Sequence, residues 1–421
     1  MRRRALVHPI TLAATLTLSA LLAAGTAADA ATPAITTQAQ AANAAFLAYA
    51  PPPAGGAGAL CLVDTGVNVN PNTQSELVSA SAIDGGSGND VDPNGHGTTM
   101  AMIAGAAGAG MTGAWPQIKI VSVRATNTPT PGQEPTFQFD DYTYGMNECA
   151  TLASSYHIHA IDLALSSPIP PSPDQAQNFA DKLAQAHGQN VAVLAAAGNQ
   201  PGAVEEPAAQ PGVFAVGAST AQSDSLSTGA VGSPCSFSAT QGLTFFAPGC
   251  GVDQADPFTD QPTCCGNGTS QASAFAAAVL VALMSYEPTL SYAAAEQLLV
   301  STATDGNLNV AAAFQAAGLG AIVTQGTANI PKPSAPASAA TPAGGLVVRA
   351  ARWRRGVLTL TVTGLATDRL NIELEYPHTG TRHLSTRRQT ITIRTARPRL
   401  VLLRVMMGKK EIGGPITVHP K

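Results

Sequence analysis

Five short apolar runs punctuate the first three quarters of the chain: "ALCLVDTG", "IKIVSVRA", "IHAIDLALSS", "VAVLAAAGN" and "GVFAVGAS". Between them lie stretches with helical patterning, such as "HGTTMAMIAGAAG", "YTYGMNECATLASSYH" and "AQNFADKLAQAHG". Runs that are apolar without alternation belong to strands covered on both faces. Strand, helix, strand, repeated, therefore calls for an α/β fold with a doubly wound, mostly parallel sheet and helices on both sides. The composition supports this, because 45% of residues are hydrophobic and only 11% are charged. In such a sheet, ligands bind at the carboxyl ends of the strands. Asp64 and Asn199 fall at two such ends.

The 421 residues divide by composition. Residues 1–30 have the pattern of a signal peptide. Met1-Arg2-Arg3-Arg4 is followed by an apolar stretch from Ile10 to Ala24, and Ala28-Asp29-Ala30 offers small residues for cleavage. Export to the periplasm or beyond the cell is the corresponding expectation. No stretch after this leader is expected to span a bilayer. Residues 31–325 form the α/β domain. Residues 326–345, rich in Pro, Ala, Ser and Gly, have the composition of a linker. Residues 346–421 contain "VLTLTVTG", "LNIELEY", "QTITIRT" and "LVLLRVMM", the alternation of a small antiparallel β domain.

Charge follows the same division. Residues 31–325 carry about 21 acidic and about 3 basic side chains, whereas residues 346–421 carry about 4 and about 15. These are first of all solvated faces. Docking of the basic domain on the acidic one, or on an anionic cell surface, is the more specific expectation. The basic residues are spread along strands without a recognised nucleic-acid motif, so no nucleic-acid partner is expected. A monomer is expected.

The six cysteines are Cys61, Cys149, Cys235, Cys250, Cys264 and Cys265. In an exported chain they point to disulfides. Four of them crowd into residues 235–265, where at least one bridge is expected. Cys61 sits in a strand-like run and is expected to be a buried thiol. The spacing does not suit a zinc site.

Four blocks place chemically useful side chains at element boundaries. "LVDTG" puts Asp64 at a strand end, and "NGHGTTMAMIAG" puts His96 at a helix start. "AAAGN" ends a strand with Asn199, and "NGTSQAS" puts Ser270 at the start of an alanine-rich helix. Singly, each has an ordinary role as a turn former, a helix-start residue or a helix cap. Together they resemble the subtilisin-like serine proteases, the subtilases. The resemblance covers about residues 55–315, and "GAWPQIKIVSVR", "EEPAAQPGVFAVGA" and "CSFSATQGLTFFAPG" extend it between the motifs. The Asp…His…Ser order is one that subtilisin is known for.

The resemblance implies a serine endopeptidase acting on proteins or peptides through an acyl-enzyme. Ser270 would be the nucleophile, His96 the base, and Asp64 the group orienting the imidazole. The Asn199 side chain and the Ser270 backbone N–H would form the oxyanion hole. Leu165 and Ser166 would lie along the substrate strand, where Ala164-Leu165-Ser166 stands in place of the family's Ser-Leu-Gly. Ala197 and Gly198 would line the specificity pocket, and such small residues leave room for an apolar side chain.

Two rivals share the fold: a peptide transferase or cyclase using the same acyl-enzyme, and a catalytically silent binding protein. The proline common four residues after the family's nucleophile is here Ala274, which implies a straighter helix start. The segment from Ala31 to Asp64 is expected to leave no room for the family's usual N-terminal prodomain; either folding proceeds without one or another part assists, for which docking of the basic C-terminal domain on the acidic domain is the candidate. No cofactor or catalytic metal is required. Calcium is common in the family, and Asp84, Asp90 and Asp92 in "DGGSGNDVDPNG" are candidate oxygen donors, although the loop does not have EF-hand spacing.

Overall fold

The apolar runs become the strands of one twisted sheet. The computed structural model describes residues 35–331, except 84–90, 109–110, 127–134 and 225–228. Beyond residue 346 it describes the strands of a second unit. The expected leader, Asp84, Asp90 and most of the expected linker lie outside the described residues. In chain order the first unit contains α1 (Thr37–Ala41), β1 (Ala59–Asp64), β2 (Leu77–Ala82), α2 (His96–Gly105), β3 (Lys119–Arg124), α3 (Phe139–Tyr156), β4 (Ile158–Leu163) and α4 (Pro173–Gly188). It continues with β5 (Ala192–Ala196), β6 (Phe214–Thr220), β7 (Phe245–Ala255), β8 (Pro262–Asn267), α5 (Thr269–Tyr286), α6 (Tyr292–Ser301), α7 (Val310–Ala316) and α8 (Gly320–Asn329).

The strand order is β2-β3-β1-β4-β5-β6-β7-β8. All neighbours are parallel except β7 and β8, which form an antiparallel hairpin at one edge. Pairing runs outward from β1 to β3 on one side and to β4 on the other, so the order reverses there. The crevice outside the ends of β1 and β4 is a natural ligand site.

Alternation along each strand feeds two cores. Leu60 and Leu62 of β1 and Leu194 of β5 face one core with α2, α5 and Phe314 of α7. Cys61 and Val63 of β1 and Val193 of β5 face the other with Tyr142, Met146 and Ala150 of α3 and Phe179 and Leu183 of α4. The helices on this second face are ordinary amphipathic ones. Ser172 caps α4 with Pro173 at its first position, and Ser172 and Gln175 exchange side-chain-to-backbone hydrogen bonds.

Helix α5 is different, because it is buried nearly all round. By length and composition alone, Thr269–Tyr286 could cross a membrane, contrary to the sequence expectation. However, 89% of its apolar window is buried inside the unit, which makes it a core helix. Its alanines allow close packing on β4, β5 and β6, and Ala274 interrupts nothing.

Cys61 is not a free thiol. It is bonded to Cys149, which joins β1 to α3 across the second core with a Cα–Cα distance of 5.9 Å. The two residues face each other because Cys61 points away from α5 and Cys149 lies on the buried side of α3. A loop with a sequence separation of 88 gives a stabilisation of about 4.6 kcal/mol in the chain-entropy picture. Cys235 pairs with Cys250, as crowding in that region led one to expect, and Cys264 pairs with its neighbour Cys265.

The start of the described chain is clasped by residues far along it. The Gln38 side chain donates to Asp253 O at 2.8 Å and accepts from Asp253 N at 3.0 Å, so it mimics a strand partner for β7. Thr37 N donates to the Asp253 carboxylate at 2.8 Å. Val310 N donates to Ala42 O, and a β-carbon on Gly326 would collide with Phe46 O. Residues 326–329, assigned to the linker on composition, are therefore the end of helix α8.

The second unit spans Lys332–Lys421. Its strands are β9 (Val347–Arg354), β10 (Val357–Thr363), β11 (Arg369–Tyr376), β12 (Gly380–Thr386), β13 (Thr390–Arg394), β14 (Leu400–Met407), β15 (Lys410–Glu411) and β16 (Ile416–Val418). They pair antiparallel in two sheets, β13-β10-β9 and β12-β11-β14-β15, with β16 on β14.

Candidate active site

Asp64 is the last residue of β1 and is buried. Its Oδ1 accepts from Thr65 N at 2.7 Å. His96 Nδ1 lies 2.8 Å from Oδ1 and 3.0 Å from Oδ2, so the carboxylate holds the Nδ1 edge of the imidazole. The short residues around this pair explain the motifs. Thr65 Oγ1 accepts from Gly97 N at 2.9 Å, tying the strand end to the helix start. A β-carbon on Gly97 would collide with Gly66 O and stand 3.1 Å from Asp64 Oδ1, so only glycine lets α2 approach this closely.

Asp92, one of the candidate calcium donors, has another task. Its Oδ1 accepts from Asn94 N and Gly95 N, and its Oδ2 from Thr98 N and Thr98 Oγ1, at 2.6–3.0 Å. Four donors at the start of a helix use the carboxylate fully and anchor the turn carrying His96. Among the described residues, no group of three or more His, Cys, Asp or Glu side chains gathers as for a metal ion.

Ser270 is the second residue of α5 and is 9% exposed. The N-cap of this helix is Gly268, with no side-chain cap bond, so Ser270 is not the capping residue. Its neighbour Thr269, which the sequence reading passed over, is central. Asn199 Oδ1 accepts from Thr269 N at 2.9 Å and from Thr269 Oγ1 at 3.0 Å, and Thr269 Oγ1 accepts from Gly198 N at 3.2 Å. The oxygen end of the Asn199 amide is thus occupied by two donors, which leaves the NH2 end as the outward-facing donor. His96 and Gln271, the residue after Ser270, line one cavity of about 350 Å³ together with Gln254, Asp256, Pro257 and Phe258 of the β7–β8 hairpin.

The expected substrate residues fall on the stretches that follow two neighbouring strands. Leu165 (buried) and Ser166 (half-buried) follow β4, and Ala197 and Gly198 follow β5. The loop before β6 joins them. Ser167 and Glu206 exchange backbone hydrogen bonds of 2.7 and 2.9 Å, and Glu205 N donates to Ala197 O at 2.9 Å.

Asp162 of β4, another residue not singled out in the sequence, lies fully buried beneath the site. Ser273 Oγ, one helical turn past Ser270, donates to its Oδ1 at 2.5 Å, and its Oδ2 has no hydrogen-bond partner among the described residues. Burial pushes the Asp162 pKa up to about 8; the Asp64 charge adds to this, while the Ser273 bond and His96 oppose it. The folded state therefore holds this proton more tightly than the unfolded chain, whose carboxyl has its ordinary value of 3.8. The associated stability is complete below the unfolded value and is lost as pH rises through about 8. Asp162→Asn, which carries no such proton, is expected to raise Tm more at about pH 9 than at about pH 5. Thermal unfolding across that range checks this, and a pH-independent difference would refute it.

A parallel α/β sheet that brings a carboxylate-held imidazole and the first turn of a buried helix to one cavity has the layout of a serine hydrolase. The chain belongs to the subtilase family of serine proteases, whose model (Peptidase S8, Subtilase family) matches residues 55–320. It is 27% identical over 270 residues to subtilisin DY of Bacillus licheniformis, covering 60% of this chain and 89% of that one. Among solved structures, sphericase superimposes with a TM-score of 0.53 at 21% identity, covering 66% of this chain and 94% of that chain. The MycP3 protease from the type VII (ESX-3) secretion system does so with a TM-score of 0.54 at 20% identity, covering 68% and 89%.

Proposed function

We propose that this subtilase is an exported endopeptidase that hydrolyses peptide bonds through a Ser270 acyl-enzyme. The observation that carries the reading is the His96–Asp64 contact at the sheet's ligand-binding edge. In this reading, His96 Nε2 takes the Ser270 proton as Oγ attacks the scissile carbonyl, then returns it to the leaving amine. Asp64 holds the Nδ1 proton and offsets the imidazolium charge. The oxyanion forms at the start of α5, where the Ser270 backbone N–H and the Asn199 amide donate to it. Water, activated by His96, then releases the acyl group. Leu165 and Ser166 pair with the substrate backbone, and Ala197 and Gly198 flank the side chain before the scissile bond. The disulfides and the arginine-led apolar leader support export.

The test is covalent labelling of the folded full chain with a fluorophosphonate. The expected result is one modified peptide containing Ser270, with hydrolytic fragments of casein seen by mass spectrometry in unlabelled samples. Folded protein that takes up no label would overturn the proposal in favour of a silent binding protein, and ligated rather than hydrolysed products would favour the transferase.

A further inference from the structure

The pocket beside Ala197 and Gly198 was expected to take an apolar side chain because its walls are small. The fold changes the chemistry of that wall. Gly198 has a φ of 111°, which favours glycine, and its α-carbon faces the side chain of Glu205. A β-carbon at Gly198 would stand 2.6 Å from Glu205 Cδ and 2.8 Å from Oε2. The carboxylate therefore lies directly against the glycine that flanks the substrate side chain.

Its position is held from both sides by main chain. Glu205 N is bonded to Ala197 O, and the next residue is bridged to Ser167, which follows the expected substrate strand. The segment thus links the two stretches that flank the pocket. The two adjacent carboxylates also differ in what they contact. Glu206 accepts from Gln210 Nε2 at 2.7 Å, whereas among the described residues no hydrogen bond or ion pair engages the half-buried Glu205 carboxylate. Residues 31–325 contain only Lys119, Arg124 and Lys182 as strong cations, so the domain has little to offer as an internal partner. Its acidic excess would instead draw cationic chains toward the cleft.

Resting on the proteolytic reading above, we propose that Glu205 is a specificity-determining residue that selects a lysine or arginine side chain immediately before the scissile bond. A long aliphatic stem suits the small walls of Ala197 and Gly198, and its cationic end reaches the carboxylate. A charge-assisted hydrogen bond to a half-buried carboxylate discriminates more strongly than apolar contact alone.

The experiment compares kcat/KM for fluorogenic peptides that differ only in this residue: Lys, Arg, Leu or Phe. For the wild-type chain, Lys and Arg are expected to exceed Leu by about tenfold or more. In Glu205→Gln, the Lys-to-Leu ratio is expected to fall by about 10- to 100-fold, and in Glu205→Asp by less. Competitive inhibition of the wild-type chain by benzamidine, a mimic of the arginine head group, tests the same carboxylate without a substitution. A wild-type chain that cleaves after Leu as well as after Lys, or a folded Glu205→Gln with an unchanged ratio, overturns the assignment. Fluorophosphonate labelling keeps the two readings apart. A labelled Ser270 without preference for Lys or Arg removes the role of Glu205 alone, whereas absent labelling and cleavage removes the proteolytic reading itself.

Discussion

Ser270→Ala is expected to lower kcat for peptide hydrolysis by about 10⁶-fold, the scale known for the corresponding change in subtilisin. Ser270 lies in the first turn of a helix buried in the core, and alanine is the best helix former. The substitution removes one oxygen and leaves the backbone N–H, Asn199 and the pocket in place. The fold and substrate affinity are therefore expected to persist while the covalent step is lost. Stopped assays with a peptide amide, together with Tm and binding of an uncleaved peptide, separate these effects. A loss below about a hundredfold would show that Ser270 is not the attacking group.

Asp64→Asn is expected to cost about 10⁴-fold in kcat, the scale known for this change in other serine proteases. Asp64 Oδ1 serves both Thr65 N and His96 Nδ1, while Oδ2 stands 3.0 Å from the same nitrogen. An asparagine keeps one oxygen for Thr65 but places an NH2 group against Nδ1. Two donors then face each other unless the imidazole gives up its Nδ1 proton, and that tautomer carries its proton on the nitrogen that must accept from Ser270. The charge that stabilises the imidazolium is lost as well. The pH profile of kcat measured alongside Tm tests this, and a drop of less than about tenfold in a folded variant would remove Asp64 from its orienting role.

The parallel strands could be read from the chain because they are continuously apolar. "ALCLVDTG" and "VAVLAAAGN" became β1 and β5, and "HGTTMAMIAGAAG" became α2. Strand β2 could not, since "LVSASA" is small and polar and pairs only at an edge. The β7–β8 hairpin was hidden by Pro248 and its glycines, which look like loop residues when tertiary pairing is unknown. The same limit applies to the site. Asp64, His96, Asn199 and Ser270 stood out because each lies at or within three residues of an element boundary, Asn199 falling just past the end of β5 at Ala196. Asp162 carried a visible signal, a carboxyl inside an apolar run, but its contact with Ser273 spans 111 residues. Asp92 resembled a loop ligand until the backbone donors around it were seen. Glu205 could not be assigned to a pocket wall, because only the fold brings it against Gly198.

Gln38 waits for Asp253, and Phe46 for Gly326. During synthesis, then, the earliest part of this unit has no seat until nearly all of it has emerged. Pairings so distant along the chain are slow to find. A product ending before residue 253 would lack part of β7 and all of β8 and α5, and with α5 it would lack Ser270. Assembly of the site is thereby deferred until the unit is nearly complete.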